Sequence, residues 1–234
     1  MVSKPVGDSS SGARSRARSG AAGMLIYPLF AGVVVLLTWL QWDVLHKMGW
    51  TVLDDGGVLY PSVLARGDLG LLQAANVVVV GLLAAWFGRG LQTHFRHHRS
   101  ARVASAGLAV VALSGFLLAF PTDLPGEVLS WHGAIHGVGF ALLLLGCPTA
   151  ALASGLALRG APGWEGYWAY SLLTAVLPVL LATVLSGLGQ IASYQIITIL
   201  FVWFAVMGAR LRQLARAEAS PVLEGETPRA HPAS

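Results

Sequence analysis

Charged residues along this chain cluster between long apolar runs. Five stretches contain no Asp, Glu, Lys or Arg: Ala21–Trp42, Leu69–Gly88, Val103–Thr122, Gly133–Leu158 and Gly166–Ala209. A bilayer core about 30 Å thick is crossed by about 20 helical residues, so each of the first four fits one span. The fifth is about twice as long. Gly187-Leu188-Gly189-Gln190 breaks it near its middle and divides it into Gly166–Ser186 and Ile191–Ala209. Barrel strands run for about 10 alternating residues, which these runs do not resemble. Backbone groups in hydrocarbon must be satisfied within the segment. The pattern therefore predicts an all-α, polytopic membrane helical bundle with six transmembrane helices, over about 21–42, 69–88, 103–122, 133–158, 166–186 and 191–209.

Composition agrees with lipid as the solvent. Of 234 residues, 55% are hydrophobic and 11% charged, against about 25% charged in soluble domains. The pI near 9.6 would suit a nucleic-acid binder, but the basic residues form short clusters between apolar runs and no continuous face, so nucleic acid is excluded as a partner and membrane lipids are expected. If the N-terminus is inside, 13 of the 15 Lys and Arg residues fall on the inner side and only Lys47 and Arg66 on the outer. The positive-inside rule then predicts N-in/C-in in the cytoplasmic membrane. The run from Ala21 exceeds the 7–15 apolar residues typical of a signal peptide and reads as a first, uncleaved span. Ser-, Gly- and Arg-rich residues 1–20 and the Glu/Pro/Ala mixture of 212–234 read as disordered cytoplasmic tails around one membrane domain, 21–211. Cys147, the single cysteine, excludes an internal disulfide and reads as a buried thiol.

Candidate chemistry is sparse. Phe120-Pro121-Thr122-Asp123 ends the third span and Trp131-His132-Gly133-Ala134-Ile135-His136 opens the fourth. Helical spacing puts His132 and His136 on one face, with His136 about 6 Å deeper. It is the only histidine within a predicted span, and an ionisable group at that depth is a functional candidate. Asp68, Gln73 and Asn76, at the start of the second span, are possible supporting groups. Three readings stand side by side. In one, the histidines cap and tether helices. In another, Asp123, His132 and His136 bind zinc and leave a position for water. In the third, the imidazoles relay protons. Haem ligation ranks last, because no second intramembrane histidine is available. Asp54-Asp55-Gly56-Gly57 reads as a turn. His94, Arg96, His97, His98 and Arg99 form a basic inner loop expected to touch anionic headgroups. No Walker, GxSxG, HExxH or GxGxxG motif is present.

The six-span layout, the Pro121–Asp123 step and the His132-Gly133-x-x-His136 step together resemble the bacterial membrane family called domain of unknown function 998, over about residues 22–212. The resemblance implies a six-helix membrane domain whose recognisable positions are Pro121, Asp123, His132, Gly133 and His136. It supplies no activity and no cofactor. The expected function is that of an integral membrane protein whose outward-facing polar pocket binds or moves a small molecule or lipid, or that serves as a membrane subunit. The alternative is a metal-dependent membrane hydrolase acting on a lipid-like substrate.

Overall fold

A computed structural model describes residues 7–49, 60–124, 126–184 and 190–219. Side chains are described over 11–49, 60–124, 126–181 and 194–219. The described residues form helices and no strand: α1 Gly7–Leu40, α2 Trp42–Lys47, a short 3-10 helix Pro61–Arg66, α3 Gly70–His94, α4 Arg99–Leu118, α5 Trp131–Leu158, α6 Tyr167–Val184 and α7 Gln190–Ala219. The chain is a multi-pass membrane protein. Five of these helices are long and apolar enough to cross a bilayer, and α6 contributes a shorter apolar stretch, Tyr167–Leu181. Their outer faces carry large apolar side chains such as Val35, Leu71, Leu145 and Leu173, each more than half exposed. So continuous an apolar exterior is compatible with lipid and not with water.

The long helices form a ring in chain order, α1–α3–α4–α5–α6–α7, and α7 closes it by packing on α1. Small residues set the seams, because close backbone approach is what holds helices together in lipid. At the closing seam Gly20 and Gly23 of α1 face Gly208 of α7. A Cβ on Gly208 would lie 2.6 Å from the Gly20 carbonyl oxygen. Gly81 and Gly115 bring α3 against α4, while Gly107 and Gly146 do the same for α4 and α5. Phe30, Phe87, Phe201, Trp203 and Phe204 fill the interior between α1, α3 and α7, with edge-to-face ring contacts at 4.9–6.1 Å.

Contacts between chain segments sort the bundle into two ends. Arg16 pairs with Glu218, and the Trp164 indole donates to His94 Nε2 at 3.2 Å. Arg210 Nε donates to the Gly163 carbonyl at 2.6 Å. All these residues lie at one end. At the other, Leu37, Leu45, Val63 and Leu64 form a second small core, with Leu124 and Tyr194 packed on it.

Several expectations are corrected by the helix ends. The tails predicted as disordered at 1–20 and 212–234 are helical from Gly7 and as far as Ala219. At 34 and 30 residues, α1 and α7 are about 50 and 45 Å long, well beyond the bilayer core. Their overshoots pack on each other: Ala13, Ser19, Leu211 and Ala215 are buried, so a stretch polar in overall composition still presents a small-residue face. Residues 1–6 and 220–234, the Asp54–Gly57 turn and the Gly187–Gly189 break lie outside the described residues. Trp39, Trp42, Trp131 and Trp168 are exposed near helix ends, as an interfacial belt requires, but Trp164 is only 1% exposed and belongs to the core. Gly133 and Gly139 of α5 are tightly packed, whereas nothing lies within 4 Å of the Gly137 Cβ position.

Candidate functional site

Ser130 organises the connection between α4 and α5. It precedes α5 with extended backbone, and its hydroxyl accepts from Gly133 N–H at 3.0 Å, a standard N-cap. Asp123 then folds onto the same residue. Its Oδ2 accepts from Ser130 N–H at 2.8 Å and its Oδ1 from the Ser130 hydroxyl at 2.6 Å. The hydroxyl has one hydrogen, and an ionised carboxylate only accepts, so that hydrogen goes to Asp123. His132 Nδ1 lies 2.7 Å from the Ser130 oxygen and 3.2 Å from the Pro121 carbonyl, both acting as acceptors. The proton of a neutral His132 therefore resides on Nδ1. Gly133 is required here, since a Cβ would overlap the Asp123 carboxylate.

His136 lies one turn deeper and is buried. Its Nδ1 donates to the Phe120 carbonyl at 2.7 Å, tethering α5 to the end of α4. A third contact closes this end of the bundle. Arg66, from the 3-10 helix, pairs with Glu127 and donates to the Thr122 carbonyl at 3.4 Å.

The Ser130 hydroxyl, then its amide, hold the Asp123 carboxyl below the ordinary aspartate range, with His132 and Arg66 adding to the effect. The Arg66 guanidinium does the same for Glu127, helped by the Leu124 amide. A folded-state value below the unfolded one gives stability that is present above the unfolded pKa, about 3.9. It is lost as pH falls through the lower folded value. In detergent, wild-type protein is thus expected to unfold at a higher temperature than Asp123→Asn at neutral pH, with the gap closing below about pH 4. Parallel melting curves across that range would remove Asp123 from this role.

Asp123 and the Nδ1 atoms of His132 and His136 are all bonded within the protein. Both Asp123 oxygens are taken by Ser130, and both Nδ1 atoms are engaged by carbonyl or hydroxyl oxygens. Among the described residues no group of three or more His, Cys, Asp or Glu side chains is arranged to hold a metal ion. Each imidazole that donates from Nδ1 keeps its lone pair on Nε2.

Below this clamp lies a cavity of about 340 Å³, walled by α3, α4, α5 and α7 with Phe30 of α1 and residues 60–62. The predicted pocket was polar and centred on Asp123, His132 and His136. The cavity is instead mainly apolar, with Val77, Val80, Val111, Leu118, Phe140, Leu143, Ile197 and Phe201 on its walls. Of the predicted site residues it contains His136 and Gln73; Asp123 and His132 are above it. Asp68 is exposed in the turn before α3 and is not part of the wall. Gln73 and Asn76 are 2% and 4% exposed. Asn76 Nδ2 donates to Gln73 Oε1 at 3.3 Å. The Asn76 oxygen is buried without a partner, and Gln73 Nε2 has no protein acceptor among the described residues.

Sequence reasoning missed two residues. Ser130 was readable as a cap residue immediately before the apolar run of α5. Gln41, 2% exposed, stood within a predicted span end and gave no such signal. Its Oε1 accepts from Leu69 N–H at 3.0 Å and its Nε2 donates to the Leu64 carbonyl at 3.4 Å, fixing the 3-10 helix over the cavity.

Comparison with known proteins is consistent with this architecture. No curated protein matches the chain, and no solved structure matches it. A family model described as "Protein of unknown function (DUF998)" matches residues 29–212, from the middle of α1 to the last turns of α7 and including every residue of the clamp and the cavity. The match spans well over half of the chain, which therefore belongs to the DUF998 family.

Proposed function

We propose that this protein crosses the cytoplasmic membrane six times, with both termini inside, and binds a small amphipathic molecule, a lipid or lipid-like compound, in the cavity beneath the Asp123–Ser130–His132 clamp. The observation that carries the proposal is a cavity of about 340 Å³ with apolar walls and three buried polar side chains, Gln73 on α3, Ser114 on α4 and His136 on α5. Ligand sites span about 300–1,000 Å³ and combine apolar linings with a few polar groups that fix orientation. Gln73 Nε2, without a protein acceptor among the described residues, suits an oxygen on the ligand, and the apolar walls suit its hydrocarbon body. The 3-10 helix and the clamp cover the outer end.

Topology supports the same reading. Tyr167 packs against Trp164 at the basic end of the bundle, and Tyr194 packs on the small core at the opposite end. This placement at opposite ends supports a traverse between them, with α6 as the sixth crossing. Arg16, Arg96, Arg159 and Arg210 lie at the end that the positive-inside rule assigns to the cytoplasm.

Gly137 supplies the test. It lines the cavity, and its Cβ position is open, so Gly137→Leu fills space without moving backbone. Protein purified in mild detergent is expected to bind a fluorescent fatty alcohol, and Gly137→Leu to lose that binding with its melting temperature unchanged. Gln73→Leu is expected to weaken binding by about fivefold, the worth of roughly one neutral hydrogen bond. Equal binding by wild type and Gly137→Leu would defeat the proposal.

A further inference from the structure

The opposite end of the bundle carries a second cavity of about 340 Å³, between the α3–α4 connection and the α5–α6 connection. It is lined by His94, Phe95, His97, His98, residues 159–162 and Trp164. The sequence marked its histidines as part of a basic loop expected to touch anionic headgroups; the fold adds Arg159 and a second wall, which make it a cavity.

Two of the imidazoles are held in one tautomer by donors. The Trp164 indole N–H donates to His94 Nε2 at 3.2 Å, and Arg96 Nε donates to His97 Nε2 at 3.1 Å. Indole and guanidinium have no acceptor to offer. Both Nε2 atoms must therefore accept, and the ring hydrogen of His94 and of His97 resides on Nδ1. With the Arg159 guanidinium and the His98 ring, the cavity brings together hydrogen-bond donors and fixed positive charge. No carboxylate lines it among the described residues. Two acids described at this end are engaged elsewhere: Glu165 accepts from Gly163 N–H at 2.9 Å, and Glu218 pairs with Arg16.

The walls are also preformed. Gly160, Gly163 and Gly166 turn the α5–α6 connection at φ values of 75–79°, a conformation that side chains disfavour. Arg210 clasps the Gly163 carbonyl at 2.6 Å. Trp164 is buried and packs its ring against His94, Phe95 and Tyr167 at 5.6–5.8 Å. A donor-rich, carboxylate-free cavity on rigid walls selects an anion, and a guanidinium among the donors favours the oxygens of a phosphate.

We infer that this cavity binds a phosphate group, carried by a lipid headgroup or by a soluble phosphate. The inference is independent of the outer cavity and of its proposed ligand. Two arms test it on the full-length purified protein. Inorganic phosphate is titrated by calorimetry in detergent, and thermal stability is compared in nanodiscs of phosphatidylcholine with and without phosphatidic acid. Arg159→Gln and the double variant His97→Gln/His98→Gln alter exposed side chains. Each is expected to weaken the response about tenfold, the loss of a charge-assisted hydrogen bond. Arg102→Gln removes an equal charge from exposed α4 surface outside the cavity and is expected to leave the response intact. A response to inorganic phosphate assigns the site to soluble phosphate; a response to phosphatidic acid alone assigns it to a headgroup. No response in either arm overturns the inference, as does an Arg102→Gln loss equal to that of Arg159→Gln, which would indicate diffuse charge attraction.

Discussion

Gly208→Leu is expected to prevent closure of the helical ring. A Cβ at this position would lie 2.6 Å from the Gly20 carbonyl oxygen and 2.8 Å from the Met24 amide nitrogen. Both are backbone atoms of α1 and have no rotamer with which to yield. Relief requires the two helices to separate, and separation breaks the contact of Gly20 and Gly23 with α7 along with the Phe30–Phe201 ring pair at 4.9 Å. Overpacking of this kind costs about 3 kcal/mol or more when backbone must move. The expected result is a collapse in monodisperse yield and a clear fall in melting temperature, read by fluorescence-detected size exclusion. Gly32→Leu is the control, because its Cβ meets nothing within 4 Å on the exposed side of α1, the partner helix. If both variants behave alike, the seam is not held by backbone proximity.

The second large effect belongs to Gln41. Gln41→Leu keeps the volume but leaves the Leu69 amide and the Leu64 carbonyl without their partner. Each unsatisfied backbone group in a shielded site costs about 1–3 kcal/mol, so destabilisation by about 2 kcal/mol or more is expected. The consequence extends to the outer cavity, because the 3-10 helix supplies Pro61 and Ser62 to its wall. Binding of the fatty-alcohol probe is expected to weaken with stability. Gln41→Glu, which can still accept from Leu69, is expected to recover part of both. Hydrogen exchange at the Leu69 amide reports the local event; unchanged protection there in Gln41→Leu would show that Gln41 does not anchor the segment.

The two glycines and the glutamine illustrate what the sequence made legible. Runs without charge located every long helix, since the cost of a charge in hydrocarbon is written directly in composition. Helix ends were less readable. α1 and α7 continue past the apolar runs because Ala13, Ser19, Leu211 and Ala215 give their polar extensions one face narrow enough to pack, and overall polarity conceals such a face. His136 was identifiable as an ionisable side chain within a span, and its burial in the cavity wall follows from that placement. Asp123 and His132 do meet, at 3.7 Å, because the connection between α4 and α5 is short. Their roles were not readable, since Ser130, which takes up both carboxylate oxygens, gave only the signal of a helix cap. Asp68 was misplaced for a different reason: its sequence position at the start of a span does not determine which way the preceding turn faces. The apolar character of the cavity depends on α3, α4, α5 and α7 meeting around it, and spacing within one helix carries no information about that.

The ring order also has a consequence for biosynthesis. Of these helices α1 leaves the ribosome before the others and α7 after them, yet they are seam partners. Until the final segment is inserted, the glycine face of α1 has no mate, and the interior between α3 and α5 lacks the wall supplied by Ile197 and Phe201. A nascent chain truncated before α7 is thus a half-open shell, and the outer cavity exists only once synthesis of the domain is complete.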